Sequence, residues 1–313
     1  MSLSKSFLPT SQLKKTQLNS VFIFILLILL GACQPTIREG VYSSVDKIGR
    51  QDEPSGPFLE QHWLIPYPGK QAVMAATVWT PKGTGPYPLV AINHASSQDP
   101  DERIEDPTGR YKTLAFWFVR HGYAVVLPIR LGHGRTGGSY LEDQGGCEDA
   151  DYGNAGRLTA VSIDAAITYM TAQPFIRQDG AIVVGQSAGG WGALALAATS
   201  PTAVRAVIAF SPGRGGHANG HPNLNCAPDQ LVATARDFGR DARIPVLWLN
   251  ARNDSYFGPD LSHRMVEAFK AGGGNVDYHL LPAVADEGHF LFRHPDAVGI
   301  WGPVVESFLS KPS

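Results

Sequence analysis

Four short runs, "PLVAIN" (88–93), "YAVVLP" (123–128), "AIVVG" (181–185) and "PVLWLN" (245–250), are apolar at nearly every position, without alternation. A strand of that kind is covered on both faces, as in parallel sheets flanked by helices. Helix-length segments lie between the later strands or flank them, at about Lys112–His121, Arg157–Gln173, Gly190–Ala198, Asp260–Ala271 and Asp296–Ser310. In the second of these, Ile163, Ile167 and Met170 fall at helical spacing, so one face can pack on a sheet. Strands alternating with helices build right-handed βαβ units. Further strands are expected at His62–Pro66, Ala72–Thr80, Val204–Phe210 and Val276–Leu281; the first two alternate better and suit an antiparallel edge. The expected fold class is therefore α/β, a mostly parallel eight-stranded sheet with helices on both faces.

The 313 residues, 43% of them hydrophobic, suffice for a sizeable core in one large or two small domains. A net charge of -2 without a Lys/Arg-rich run gives no reason to expect a nucleic-acid partner. From Cys33 to about residue 58 the chain is polar and turn-rich, as in a tether, and residues 59–313 carry the expected domain. Residues 211 to about 243 interrupt the strand–helix rhythm with a long Gly-, Pro- and His-rich connection, which reads as a lid-like or substrate-contacting loop.

Lys14 and Lys15 precede the ten-residue block "VFIFILLILL", the layout of a secretory signal and too short to span a bilayer comfortably. The following "LGAC" (30–33) resembles the bacterial lipoprotein box. That resemblance implies that residues 1–32 are a signal peptide and that Cys33 is the lipidated N-terminus, anchored in a membrane. Gln34 in place of Asp implies, by resemblance to lipoprotein sorting, the outer membrane. The alternative is a signal anchor with an incidental cysteine. Outside the cytosol, the remaining pair Cys147 and Cys226 suggests a disulfide.

Ser187 stands in G-x-S-x-G, as Gly185-Gln186-Ser187-Ala188-Gly189, after "AIVV" and before the helix-like "GWGALALAA". Strand, sharp turn and helix are the context of a nucleophile elbow. A serine hydroxyl needs a base, and in this arrangement acid and histidine follow the serine in that order. Asp254 lies four residues beyond the strand "PVLWLN", whereas the rival Asp260 suits the cap of the next helix. His289, in "DEGHF" after the last strand, is the candidate base; His263, His279 and His294 fall in a helix, in a strand and just before the final helix. Oxyanion donors are expected from the N–H of Ala188 and from Ala95 or Ser96 in "NHASS".

With "RLGHGRTGG" (130–138) and "NDSYFGP" added to these motifs, the chain from about residue 60 resembles an α/β-hydrolase, most closely the dienelactone hydrolase and acylaminoacyl-peptidase-like branches. The resemblance implies a serine hydrolase without a cofactor. His94-Ala95 replaces the His-Gly of many relatives, which leaves the identity of the second oxyanion donor open, and "RLGHGRTGG" is expected to frame the floor of the site. His217, His221 and Cys226 could tempt a metal reading, but Gly and Pro between them argue against the helix that would align the two histidines. The expected activity is ester hydrolysis through an acyl-enzyme on Ser187, Asp254 and His289. A peptidase of the same mechanism and a lipidated, non-catalytic binding protein are the alternatives. The expected substrate is a small ester or short peptide; its acyl group and the oligomeric state stay open.

Overall fold

The computed structural model describes residues 47–311. The expected signal peptide 1–32, Cys33 and the start of the expected tether lie outside the described residues. Nine strands form one sheet: β1 (Gly49–Arg50), β2 (Gln61–Tyr67), β3 (Ala72–Trp79), β4 (Leu89–Asn93), β5 (Ala124–Pro128), β6 (Ala181–Gln186), β7 (Val204–Phe210), β8 (Val246–Ala251) and β9 (Val276–Leu281), in the order β1-β2-β3-β5-β4-β6-β7-β8-β9. β5, β4, β6, β7, β8 and β9 run parallel, and β1, β2 and β3 pair antiparallel at one edge. The eight expected strands are present. The ninth, β1, falls inside the stretch read as tether, where Gly49 pairs with Leu64 and Arg50 with Trp63.

Seven helices accompany the sheet: α1 (Pro100–Arg103), α2 (Lys112–Arg120), α3 (Tyr152–Thr171), α4 (Ala188–Ala198), α5 (Pro228–Asp241), α6 (Pro259–Gly272) and α7 (Val298–Leu309). The missing alternation has a simple cause, since successive residues of one strand enter different cores. Val183 belongs to the same core as Ile163, Ile167 and Met170 of α3 and Phe269 of α6. Its neighbours Ile182 and Val184 pack with Leu114 and Phe118 of α2 and Trp301 and Val305 of α7. α3 starts earlier than expected because the Asp151 side chain caps it, accepting the Asn154 N–H.

The structure differs from the sequence reading most at 211–243. Only its first half is irregular; from Pro228 it is α5, whose Leu231, Ala235 and Phe238 are buried at helical spacing. A disulfide joins Cys147 to Cys226 across 79 residues, with Cα atoms 4.6 Å apart. It fastens the end of that irregular segment to the long connection before α3, and closing so large a loop is worth about 4 kcal/mol on a chain-entropy model. Among the described residues no helix is long and apolar enough to cross a membrane.

Candidate active site

Ser187 follows β6 directly and precedes α4, at φ 52° and ψ -121°. A non-glycine residue in that region carries strain on the order of 1–3 kcal/mol and persists only where its surroundings over-determine it. Here they do: the Ser187 N–H donates to the Phe210 carbonyl at 3.0 Å, and its carbonyl accepts from Trp191 at 2.8 Å and Gly213 at 3.2 Å. The flanking glycines are required by contact. A Cβ on Gly185 would collide with the Gly189 backbone, and one on Gly189 with the Asn93 carbonyl of the neighbouring strand.

Asp254 lies beyond β8 and His289 beyond β9, so both reach the edge of the sheet at which β6 ends. His289 Nδ1 is 3.3 Å from Asp254 Oδ1 and 3.4 Å from Oδ2. Asp254 is 2% exposed, and its carboxylate also accepts the N–H groups of Tyr256 and Phe257 and an amide N–H of Asn250. Burial alone would raise its carboxyl pKa, but the His289 charge and the hydrogen bonds from His289 and the Phe257 N–H bring it below the ordinary value. His289 Nδ1 is thus engaged by the acid, which leaves Nε2 as the atom able to take a proton. Asp260 falls in the first turn of α6, and His279 pairs with Asp277 on β9, away from this cluster.

The loop after β4 narrows the choice of oxyanion donor. The Ala95 N–H is already donated to the Tyr111 hydroxyl at 2.7 Å, Tyr111 donates on to Gln186 Oε1 at 3.0 Å, and Gln186 Nε2 donates to the His289 carbonyl at 3.2 Å. Of the two expected donors, the Ala95 N–H is therefore already engaged. Ala188 opens α4, where the first N–H groups of a helix have no partner within it. Burial pushes the Tyr111 hydroxyl up to about 12, so it stays protonated and this chain of bonds keeps one direction.

Ser96 is itself held. His133 Nδ1 donates to the Leu131 carbonyl at 3.1 Å, so its Nε2 accepts from the Ser96 hydroxyl at 2.8 Å, and Tyr140 lies 3.1 Å from the same oxygen. Behind them Glu142 binds both Arg130 and Arg214, all three buried. Burial opposes the Glu142 charge, but the two guanidinium groups hold its carboxyl far below the usual range. His133 therefore belongs to a floor under the site, as expected for "RLGHGRTGG". Glu142 and Arg214 gave no sequence signal. They lie 72 residues apart and meet only in the fold.

His217 is also at the site, stacked on Tyr256 at 3.5 Å, and Tyr256 stacks in turn on His289 at 4.1 Å. Cys226 is in the disulfide and offers no thiolate to a metal. Gln186, Tyr111, Tyr256 and Glu287 escaped the sequence reading. The nearest thing to a signal was the position of Gln186 inside the elbow and of Glu287 two residues before His289.

A parallel sheet of this order, with a strained serine after β6 and an Asp–His pair on the loops after β8 and β9, is the α/β-hydrolase fold. Residues 103–231, which include Ser187 but neither Asp254 nor His289, match the family described as serine aminopeptidase, S33. Three solved structures are similar in fold. A candidate dienelactone hydrolase from Klebsiella pneumoniae aligns at TM-score 0.56 and 16% identity, covering 82% of this chain and 100% of its own. An acetyl xylan esterase from a Paenibacillus species aligns at TM-score 0.55 and 16% identity, over 76% of this chain and 81% of its own. The Pyrococcus horikoshii acylaminoacyl peptidase aligns at TM-score 0.57 and 13% identity, over 82% of this chain and 42% of its own. No curated protein sequence matches the chain.

Proposed function

We propose that the chain is a serine hydrolase that cleaves carboxylic esters through an acyl-enzyme. The observation that carries this reading is the strained, fully hydrogen-bonded backbone of Ser187 at the end of β6, together with a buried Asp–His pair on the loops after β8 and β9. Ser187 Oγ attacks the ester carbonyl carbon while its proton passes to His289 Nε2, and Asp254 keeps Nδ1 protonated and stabilises the imidazolium. The N–H groups of Ala188 and Ser96 receive the negative oxygen, a contribution of about 10²–10³ in rate for each donor. The alkoxide leaves with the proton from His289. Water, deprotonated by the same nitrogen, then releases the carboxylic acid and restores Ser187.

A peptidase acting by the same steps is the second reading, favoured by the description of the family matched over 103–231. Against it stands coverage: the esterase neighbour is matched over most of its own length and the peptidase over less than half. A fluorophosphonate probe is expected to label the chain, and Ser187→Ala is expected to lose both labelling and about 10⁵–10⁶ of turnover. Equal labelling of the two proteins would sink the enzyme reading in favour of a non-catalytic binding protein. Turnover of aryl esters without cleavage of aminoacyl anilides would separate esterase from peptidase.

The same proposal puts the enzyme in the cell envelope, lipidated at Cys33 and facing the periplasm or cell exterior. The lipoprotein-like "LGAC" and the Cys147–Cys226 disulfide support it, because disulfides persist in oxidising compartments. Incorporation of a labelled fatty acid, lost in Cys33→Ser, is the expected outcome.

A further inference from the structure

Acid and base meet loosely in this site. Contacts of 3.3 and 3.4 Å between His289 Nδ1 and the Asp254 carboxylate exceed the ~2.7–2.9 Å of a firm charge-assisted bond. The two residues sit on separate loops, 35 positions apart in sequence. Glu287 joins those loops at the point that matters. Its Oε1 accepts the His289 N–H at 2.8 Å and the Ser255 N–H at 3.1 Å, and its Oε2 accepts the Ser255 hydroxyl. One carboxylate thereby grips the base and the residue directly after the acid.

The far end of the bridge is anchored as well. Having given its proton to Glu287, the Ser255 oxygen accepts from His217 Nε2 at 2.8 Å. His217 and His289 lie on opposite faces of the Tyr256 ring, at 13° and 20° to it, so the same network confines the plane of the His289 imidazole. Asn253 ties the two loops as well, further back through Val284 and Ala285 and next to His289 through the Gly288 N–H. The loops would therefore stay paired without Glu287, and what would change is their register at His289.

We propose that Glu287 is a positioning residue, which holds Asp254 and His289 in the register that proton transfer from Ser187 requires. This rests on the hydrolase reading above. The alternative role, an ordinary cap on the short turn at Gly288–Arg293, would affect stability alone.

The test compares the parent chain with Glu287→Ala, Glu287→Gln and Ser255→Ala. Aryl-ester turnover is measured per active site titrated with the fluorophosphonate probe, so that unfolded protein does not count. Glu287→Ala is expected to lose about 10²-fold in kcat with KM changed by less than about threefold, the signature of misplaced catalytic groups. Glu287→Gln, whose amide oxygen still accepts both N–H groups, should recover to within about tenfold of the parent, and Ser255→Ala should lose about fivefold. A parent-like kcat per titrated site in Glu287→Ala, even with a lower Tm, would overturn the proposal, as would a Gln variant no better than Ala. A parent chain that neither labels nor turns over would instead remove the hydrolase reading, and this proposal with it.

Discussion

Two buried clusters of charged groups lie beyond the ends of the parallel strands, and they are built in opposite ways. Around Glu142 the bonding is close and made mostly between charged side chains. Arg130 and Arg214 both grip its carboxylate, Arg214 also donates to the Glu142 carbonyl and Thr159, and Arg130 donates to the His94 carbonyl. Around His289 the acid–base contact is long, and the firm bonds go to backbone groups of the loops that carry the pair. In the first cluster both carboxylate oxygens are bound by guanidinium groups, which suits a supporting role. The second keeps one imidazole nitrogen uncommitted, which a proton-transfer site needs, and takes its precision from the backbone around it.

If that contrast is right, damage to the two clusters should register in different measurements. The largest effect is expected from Asp254→Asn, which disturbs the tautomer of His289: about 10⁴-fold lower kcat at nearly unchanged Tm. A loss of stability comparable to the loss of rate would break the comparison. Glu142→Ala should do the reverse, because it strands two guanidinium groups that are at most 5% exposed. Urea unfolding should show a cost of about 3–5 kcal/mol, while the folded fraction keeps its rate per titrated site within about tenfold.

The smallest expected effect concerns pH. Burial, reinforced by Arg130 and Arg214 though opposed by Glu142, brings the His133 pKa down to about 4 from an ordinary 6.5. Between those values the unfolded chain binds a proton that the folded chain refuses. The stability contributed is therefore complete above pH 6.5 and falls as the pH drops toward 4, by about 3 kcal/mol in all. His94, lowered mainly by burial and then by Arg130, acts in the same direction. In His133→Gln the difference in unfolding free energy between pH 7 and pH 4.5 should shrink by about 2 kcal/mol. An equal difference in both proteins would show that His133 is not held neutral by the floor.

The elbow could be read from the sequence because the residues that mark it are local, although the contacts that hold it, from Asn93, Phe210 and Gly213, are not. An apolar strand, two glycines where a Cβ has no room and an apolar helix lie within one short stretch around Ser187. Asp254 and His289 were legible for a related reason, since a loop directly after a strand must emerge at that strand's end. The engagement of the Ala95 N–H was not legible, because it turns on a hydroxyl 16 residues away at Tyr111. α5 was hidden by its glycine- and proline-rich approach. Pro228 at its start suits a first helical turn, yet read in sequence it continued the loop.

By itself the sequence determined the layered sheet and the order in which Ser187, Asp254 and His289 follow their strands, because strand burial and chain direction follow from neighbouring residues. The tertiary structure alone decided that the Ala95 amide is engaged by Tyr111, which carboxylate bridges the two loops and where the Arg130–Glu142–Arg214 cluster closes. Each of those rests on hydrogen bonds between residues far apart in the chain, and such partners are set only when the elements carrying them pack.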